Sequence, residues 1–144
     1  MIRQIDALQT YPVRHAVLRP GKPVESCRFD GDSAPATVHF GYYEHNQLLA
    51  IASLFAVDNT CFEHRAQLQL RGMAVLPDQQ KKGIGEQLIR HAESVAQQKN
   101  FELIWFNARE VAIGFYQKLG YVTWGGPFLI EGIGTHYMMF KKLR

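Results

Sequence analysis

The chain lacks a run of apolar residues long enough to cross a bilayer, which takes about 20 residues in a helix. Residues 1–17 also lack the uninterrupted apolar segment of a secretory signal, because Arg3, Asp6 and Arg14 divide them. We therefore expect a cytosolic (cytoplasmic) protein that has no membrane partner.

Cysteine is scarce, and the two residues present, Cys27 and Cys61, do not form a Cys-x-x-Cys pair. A chain of 144 residues can build a core without a disulfide, so free thiols are expected. The histidines show no His-Glu-x-x-His spacing, and neither cysteine has a recognisable Cys-His-Asp setting. The sequence thus predicts neither a bound metal nor a nucleophilic cysteine.

A long basic segment is missing as well, although 16 Lys and Arg against 13 Asp and Glu give a net charge of +3. No basic stripe with interleaved aromatic residues accompanies this excess, so a nucleic-acid partner is not predicted. A small positive excess instead suits an anionic ligand.

Apolar residues are abundant: they make up 47% of the chain, against 20% charged residues. This balance is typical of folded proteins, because disordered chains lack the apolar surface that offsets the entropy of ordering. The length fits one domain, predicted to span residues 1–144. The sequence leaves open whether the protein forms a homodimer.

Hydrophobic periodicity predicts strands and helices in alternation, which is the α/β (α+β) fold class. The predicted strands cover residues 2–5, 36–44, 47–57, 66–76, 101–107, 121–124 and 136–142, and the predicted helices cover 6–18, 83–99 and 112–119. Pro12 is expected to start or break the first helix near Tyr11. The glycine-rich residues 125–134 are expected to separate the last two strands as a loop.

One loop at the start of the second predicted helix carries the clearest functional signal. It consists of Gln80, Lys81, Lys82, Gly83, Ile84 and Gly85. The two glycines let the backbone approach a ligand closely, and the helix N-terminus offers unpaired amide hydrogens to a phosphate. The two lysines can add attraction from the rim. A Gly-x-Gly alone more often marks an ordinary turn, and neither Walker nor dinucleotide-binding spacing is present.

The surroundings of this loop resemble motif A of the GNAT superfamily of N-acetyltransferases. Gln80, Gly83 and Gly85 match its Q/R-x-x-G-x-G/A loop, and residues 73–75 match the strand before it. Residues 107–122, NAREVAIGFYQKLGYV, resemble motif B of the same superfamily.

The resemblance implies a GNAT-like mixed, twisted sheet flanked by helices, with a cleft for acetyl-CoA between the fourth and fifth strands. It implies that the loop at 80–85 binds the pyrophosphate and that the main chain of Met73 and Val75 faces the pantetheine arm. Asn107 is a further partner of that arm, or it caps the helix that follows.

Tyr116 matches the family tyrosine that protonates the departing CoA thiolate. A thiol has a reference pKa near 8.5 and a tyrosine one near 10, so the transfer costs little. The alternative role is that of a core aromatic residue at helical spacing.

A general base is harder to identify, because Gln69 stands where some family members place a glutamate. Five other polar residues are candidates, each more consistent with a surface or structural role, and none is assigned: His39, Glu44, His64, Glu131 and His136.

Two segments occupy positions that border the acceptor site in the family, residues 14–20 and 125–135. Arg14 and Arg19 can hold a substrate carboxylate or solvate a helix, and the solvated role is favoured for each alone.

Together these features predict direct transfer of an acetyl group from acetyl-CoA to a primary amine of a small molecule, without a metal or an acyl-enzyme. The alternative is a noncatalytic acyl-CoA-binding regulatory domain, which the missing base leaves open.

Overall fold

The computed structural model describes residues 1–143, and its centre is one seven-stranded sheet. The strands are β1 (Ile2–Ile5), β2 (Val38–Glu44), β3 (Gln47–Phe55), β4 (Gln67–Val75), β5 (Leu103–Arg109), β6 (Val122–Ile130) and β7 (Gly134–Lys142). Their order in the sheet is β1-β2-β3-β4-β5-β7-β6. Only β4 and β5 are parallel neighbours; the other pairs are antiparallel. The predicted mixed sheet is confirmed.

Three helices flank the sheet: α1 (Ala7–Val13), α2 (Ile84–Gln98) and α3 (Ile113–Lys118). Alternate residues of β3 face opposite sides, as the pleat of a strand requires. Ala50 and Leu54 pack in the larger core with α2 and α3, whereas Ile51 packs with Val13 at the end of α1. Helices therefore cover both faces. No helix within residues 1–143 is long and apolar enough to span a bilayer.

The first helical segment agrees with its predicted range of residues 6–18 to within one residue, but Pro12 does not act as predicted. Asp6 and Gln9 form a capping box, with both hydrogen bonds at 2.9 Å, and this fixes the start of α1 at Ala7. Pro12 consequently lies inside the helix and neither starts nor breaks it near Tyr11. After Val13 the chain continues as a π-helical turn over Arg14–Leu18.

The expectation of a loop over residues 125–134 is wrong. β6 continues through Gly125, Gly126 and Pro127 to Ile130, with a register shift against β7 between Trp124 and Phe128. A bulge accommodates such residues, and proline is tolerated because β6 is an edge strand whose outer amides have no ladder partner.

Most other predicted elements agree with the structure to within two or three residues. His45 and Asn46 take positive φ angles of 50° and 62° in the turn between β2 and β3. Gly72 interrupts β4 as expected, with φ +65° beside a register shift against β3. Both cysteines are free thiols, with Cys27 buried and Cys61 exposed.

Candidate active site

The sheet opens between its two parallel strands. β4 and β5 pair only through residues 67–69 and 103–105, and beyond these pairs their facing backbone edges are not bonded to each other. A cleft of about 940 Å³ lies beside the opening, lined by residues 70–75 of β4 and 106–109 of β5. Its position matches the cleft that the resemblance implies.

The loop before α2 forms one rim of the cleft. Gly83 takes φ +81° as the residue that begins α2, and no side chain caps the helix there. A Cβ built at Gly83 meets nothing within 4 Å, so the backbone is open to a ligand. The free amide hydrogens of the first turn and the positive end of the helix dipole therefore face an approachable space.

Gly85 keeps the cleft open further in. A Cβ at this position lies 3.1 Å from both Met73 Cε and Phe115 Cζ, which is tighter than ordinary van der Waals contact. Close packing against Met73 of β4 and Phe115 of α3 therefore favours glycine here, because an added Cβ would need both side chains to shift.

The structure brings together all but one of the residues assigned from the sequence. Those that line the cleft are Met73, Val75, Gln80, Lys81, Gly83, Ile84, Gly85, Asn107 and Tyr116. Lys82 is not among the lining residues, and its Nζ donates to Gln79 Oε1 at 3.1 Å. The Gln80 side chain is also engaged, since its Nε2 donates to the Val75 carbonyl at 3.1 Å and so ties the loop to β4.

Tyr116 lies in α3 and also lines the cleft. Its ring packs against Phe106 and Phe115, with centroids 4.4 and 5.0 Å away, and 8% of the residue is exposed. Burial raises the pKa of the phenol far above its usual 10. The hydroxyl therefore stays protonated at neutral pH and can donate a hydrogen bond or a proton.

Asn107 does not cap a helix. It lies within β5, two residues before Arg109, and the short 3-10 turn and α3 that follow have no side-chain cap. The capping alternative is therefore wrong, because β5 ends two residues later than its pattern predicts. Asn107 is exposed and lines the cleft.

His136 is the only base candidate named from the sequence that lines the cleft within residues 1–143. It is 5% exposed, and its Nδ1 lies 2.8 Å from the Gly134 carbonyl. Since a carbonyl only accepts hydrogen bonds, Nδ1 carries the proton and the neutral ring has its lone pair on Nε2. Nε2 has no hydrogen-bond partner among the described residues.

The other base candidates and Gln69 are not among the lining residues. His39 has a structural role, because its ring nitrogens lie 2.7 Å from Ser53 Oγ and 2.9 Å from the Asp32 carbonyl in the interior. Glu44 and Glu131 are exposed.

Arg14 neither solvates a helix nor faces the cleft. It is fully buried, and its guanidinium donates to both oxygens of Asp32 and to the Cys27 carbonyl. The favoured solvated role is therefore wrong for Arg14. A partner 18 residues away in an irregular loop leaves no periodic signal in the sequence.

Arg71 was not anticipated from the sequence, yet it lines the cleft together with Val17, Leu18 and Ile133. These three apolar residues come from the two segments expected to border an acceptor. In a strand pattern Arg71 reads as an ordinary polar residue, and only the opening of the sheet shows what it faces.

The sheet is mixed and opens between two parallel strands, and an uncapped glycine-rich helix start and a buried tyrosine line the same cleft. These features are those of a CoA-dependent acyltransferase fold. Residues 4–121 match the Acetyltransferase (GNAT) family. The chain therefore belongs to the GNAT family of acetyltransferases, as the motifs indicated.

Known relatives agree with this assignment. The chain is 36% identical over 143 residues to the uncharacterized N-acetyltransferase YitI of Bacillus subtilis (strain 168), covering 99% of this chain and 96% of that protein. An aminoglycoside 6'-N-acetyltransferase complexed with coenzyme A has a similar structure, with a TM-score of 0.79, 14% identity and coverage of 100% and 97%. The structure of the ribosomal-protein-S18-alanine N-acetyltransferase of Escherichia coli is also similar, with a TM-score of 0.78 and 17% identity. The match covers 99% of this chain and 93% of that protein. At these identities the structural likeness concerns the fold alone.

Proposed function

We propose that the protein transfers the acetyl group of acetyl-CoA to the primary amine of a small molecule. The observation that carries this proposal is that the open glycine loop, Tyr116 and His136 all line one cleft. Each supplies a different requirement of acyl transfer: phosphate binding, an acid and a base.

The donor fits the cleft from the loop inwards. The pyrophosphate of acetyl-CoA is bound by the first-turn amides after Gly83, with Lys81 at the rim. The pantetheine arm lies between β4 and β5, where the facing backbone edges are not paired with each other. In this arrangement the thioester lies beside Met73, which lines the cleft.

The reaction forms a C–N bond and breaks the thioester C–S bond. The amine attacks the acetyl carbonyl, and the tetrahedral intermediate collapses with loss of the CoA thiolate. Tyr116 donates its phenolic proton to that sulfur. Burial raises the pKa of Tyr116 and makes it a weaker acid, and apolar surroundings shift the pKa of the thiol that forms in the same direction.

The amine must lose a proton to become a nucleophile, and His136 is the residue that we assign to accept it. The Gly134 carbonyl holds Nδ1–H, so that Nε2 presents its lone pair without a protein partner. The sequence lacks the glutamate that some family members place on β4, and His136 takes over this role from β7.

A screen of primary amines tests the proposal: amino acids, polyamines, aminoglycosides and peptide N-termini, with release of free CoA as the readout. Acetylation of small amines supports it, and acetylation of a folded protein alone contradicts the small-molecule acceptor. The two structural relatives act on an aminoglycoside and on a protein alanine, so the shared fold does not select among these classes.

The noncatalytic alternative makes the opposite prediction in the same screen. A regulatory acyl-CoA-binding domain binds acetyl-CoA in calorimetry but acetylates no amine, whereas a transferase does both.

A further inference from the structure

We propose that the acceptor carries a carboxylate as well as an amine, and that Arg71 binds this carboxylate in the cleft. The inference rests on the proposed function and names the class of its second substrate. It starts from an excess of positive charge behind one end of the cleft.

Three guanidinium groups surround a single aromatic ring. Their Cζ atoms lie 3.9, 4.8 and 5.5 Å from the centre of the Phe29 ring, for Arg14, Arg71 and Arg19 respectively. Phe29 is buried, so part of this charge has lost its hydration. Charges removed from water need a counter-charge or hydrogen-bond acceptors nearby.

The neighbouring carboxylates do not balance this charge. Asp32 accepts two hydrogen bonds from Arg14, and Asp30 is exposed. Neither carboxylate lies within 4.0 Å of Arg71, although both act on it electrostatically. Arg19 donates to the adjacent Leu18 carbonyl. Arg71 therefore has no anionic partner among residues 1–143.

Arg71 is also the member of this group that reaches the cleft. Gly72, the next residue, takes φ +65° at a bulge in β4, and a bulge redirects the side chains beside it. The guanidinium lies 4.8 and 5.2 Å from the Phe29 and Phe55 rings, and Arg71 makes no side-chain hydrogen bond within residues 1–143, so its N–H donors have no protein acceptor. Burial, followed by repulsion from Arg14, lowers its pKa, and a bound anion reverses that effect.

A carboxylate matches this geometry, because the guanidinium fork binds both of its oxygens. The phosphates of acetyl-CoA have their own proposed site at the loop between β4 and α2. Arg71 lies within β4, four residues before that strand ends, so the two anion sites are separate. A polycationic acceptor is disfavoured, because its positive charges would be repelled by the unpaired guanidinium of Arg71.

The test uses pairs of acceptors that differ only in charge: L-amino acids and short glycine peptides, each with its carboxamide. Values of kcat/KM are corrected for the unprotonated fraction of amine, because a carboxylate raises the pKa of a nearby amine. The wild type should prefer the acids by about 10- to 100-fold, as expected for a charge-assisted hydrogen bond.

Arg71→Gln should abolish this preference and leave the rates with the amides within about twofold. Arg65→Gln, which removes an exposed arginine just before β4, should behave as wild type. The affinity for acetyl-CoA should be unchanged in both variants. Three results contradict the inference: amides that react as well as acids, an equal loss for acids and amides in Arg71→Gln, or weaker acetyl-CoA binding in that variant.

Calorimetric titration of the CoA complex with the same pairs separates this inference from the proposed function. Acids that bind through Arg71 without turnover leave the carboxylate site standing and contradict the transferase. Amides that turn over as readily as acids support the transferase and contradict the carboxylate site.

Discussion

Arg14 and Asp32 form a bidentate ion pair in the interior, with Nη1 2.7 Å from Oδ2 and Nη2 3.0 Å from Oδ1. The pair joins the π-helical turn after α1 to the loop before β2, and the Phe29 amide donates to the same carboxylate. It therefore fixes two segments that lie next to the proposed acceptor end of the cleft.

Removing the charge of Asp32 should be costly. Asp32→Asn leaves the buried guanidinium without its counter-charge, which typically costs about 3–5 kcal/mol of unfolding free energy. Urea unfolding measures the loss, with Asp30→Asn as the control because Asp30 is exposed and should change the value by less than about 0.5 kcal/mol. Equal stability of the two variants would show that the pair contributes little.

The same carboxylate predicts a loss of stability in acid. Burial alone raises the pKa of Asp32, but the Arg14 hydrogen bonds and the Phe29 amide bring it below its usual 3.8. A carboxyl with a lowered folded-state pKa stabilises the fold fully above its unfolded pKa of about 3.9, and this contribution disappears as pH falls through the folded value. Unfolding free energies between pH 6 and pH 3 should fall more steeply for wild type than for Asp32→Asn. Parallel curves contradict the prediction.

Gly83→Asp should weaken acetyl-CoA binding by at least about tenfold, because a carboxylate beside the first turn of α2 repels the pyrophosphate. Gly83→Asn is the matched control: it has nearly the same shape and also tolerates a positive φ, but it carries no charge. Calorimetry with acetyl-CoA on both folded variants measures the difference. Similar acetyl-CoA affinities for Gly83→Asp and Gly83→Asn would show that the pyrophosphate does not bind at this loop.

Tyr116→Phe should lower the single-turnover rate of acetyl transfer about 100- to 10,000-fold, as the loss of a general acid does when that step limits the rate. Acetyl-CoA affinity should remain, because the ring still packs against Phe106. Tyr121→Phe is the control, since its ring lies 6.1 Å from that of Tyr116 but does not line the cleft. Wild-type transfer by Tyr116→Phe would assign the proton to water or another donor.

His136→Ala should reduce kcat by at least about 100-fold with little change in acetyl-CoA affinity, because the amine loses its proton acceptor. Added imidazole should restore part of the rate by occupying the vacated space, whereas a purely structural defect gives no such rescue. Transfer at the wild-type rate without imidazole would show that the amine loses its proton elsewhere.

The site residues predicted from the sequence lie in two contiguous segments, residues 73–85 and 107–122. The loop at 80–85 combines glycine positions, a helix start and a preceding strand within a short stretch, so its geometry follows from local rules. Arg14 was misinterpreted because its partner, Asp32, follows an irregular loop of low periodicity. Arg71 and His136 face the cleft only because the sheet opens between β4 and β5, which no local pattern records.

β6 shows a different limit. Glycine and proline at 125–127 normally end a strand, yet the edge position and a bulge let pairing with β7 resume at Phe128. Whether residues 125–130 form a strand depends on pairing with β7, which residues 125–130 themselves do not reveal.

The short pairing between β4 and β5 divides the sheet into a four-stranded and a three-stranded half joined by three residue pairs. A pantetheine arm has amide groups of its own, so a bound acetyl-CoA can act as a short substitute strand that bridges the two halves. The ligand then becomes a component of the architecture, and the folded state gains RT ln(1 + [L]/Kd) in stability as its concentration rises. Acetyl-CoA bound as proposed should therefore raise the free energy of unfolding of the protein, and the gain should grow with the concentration of the ligand.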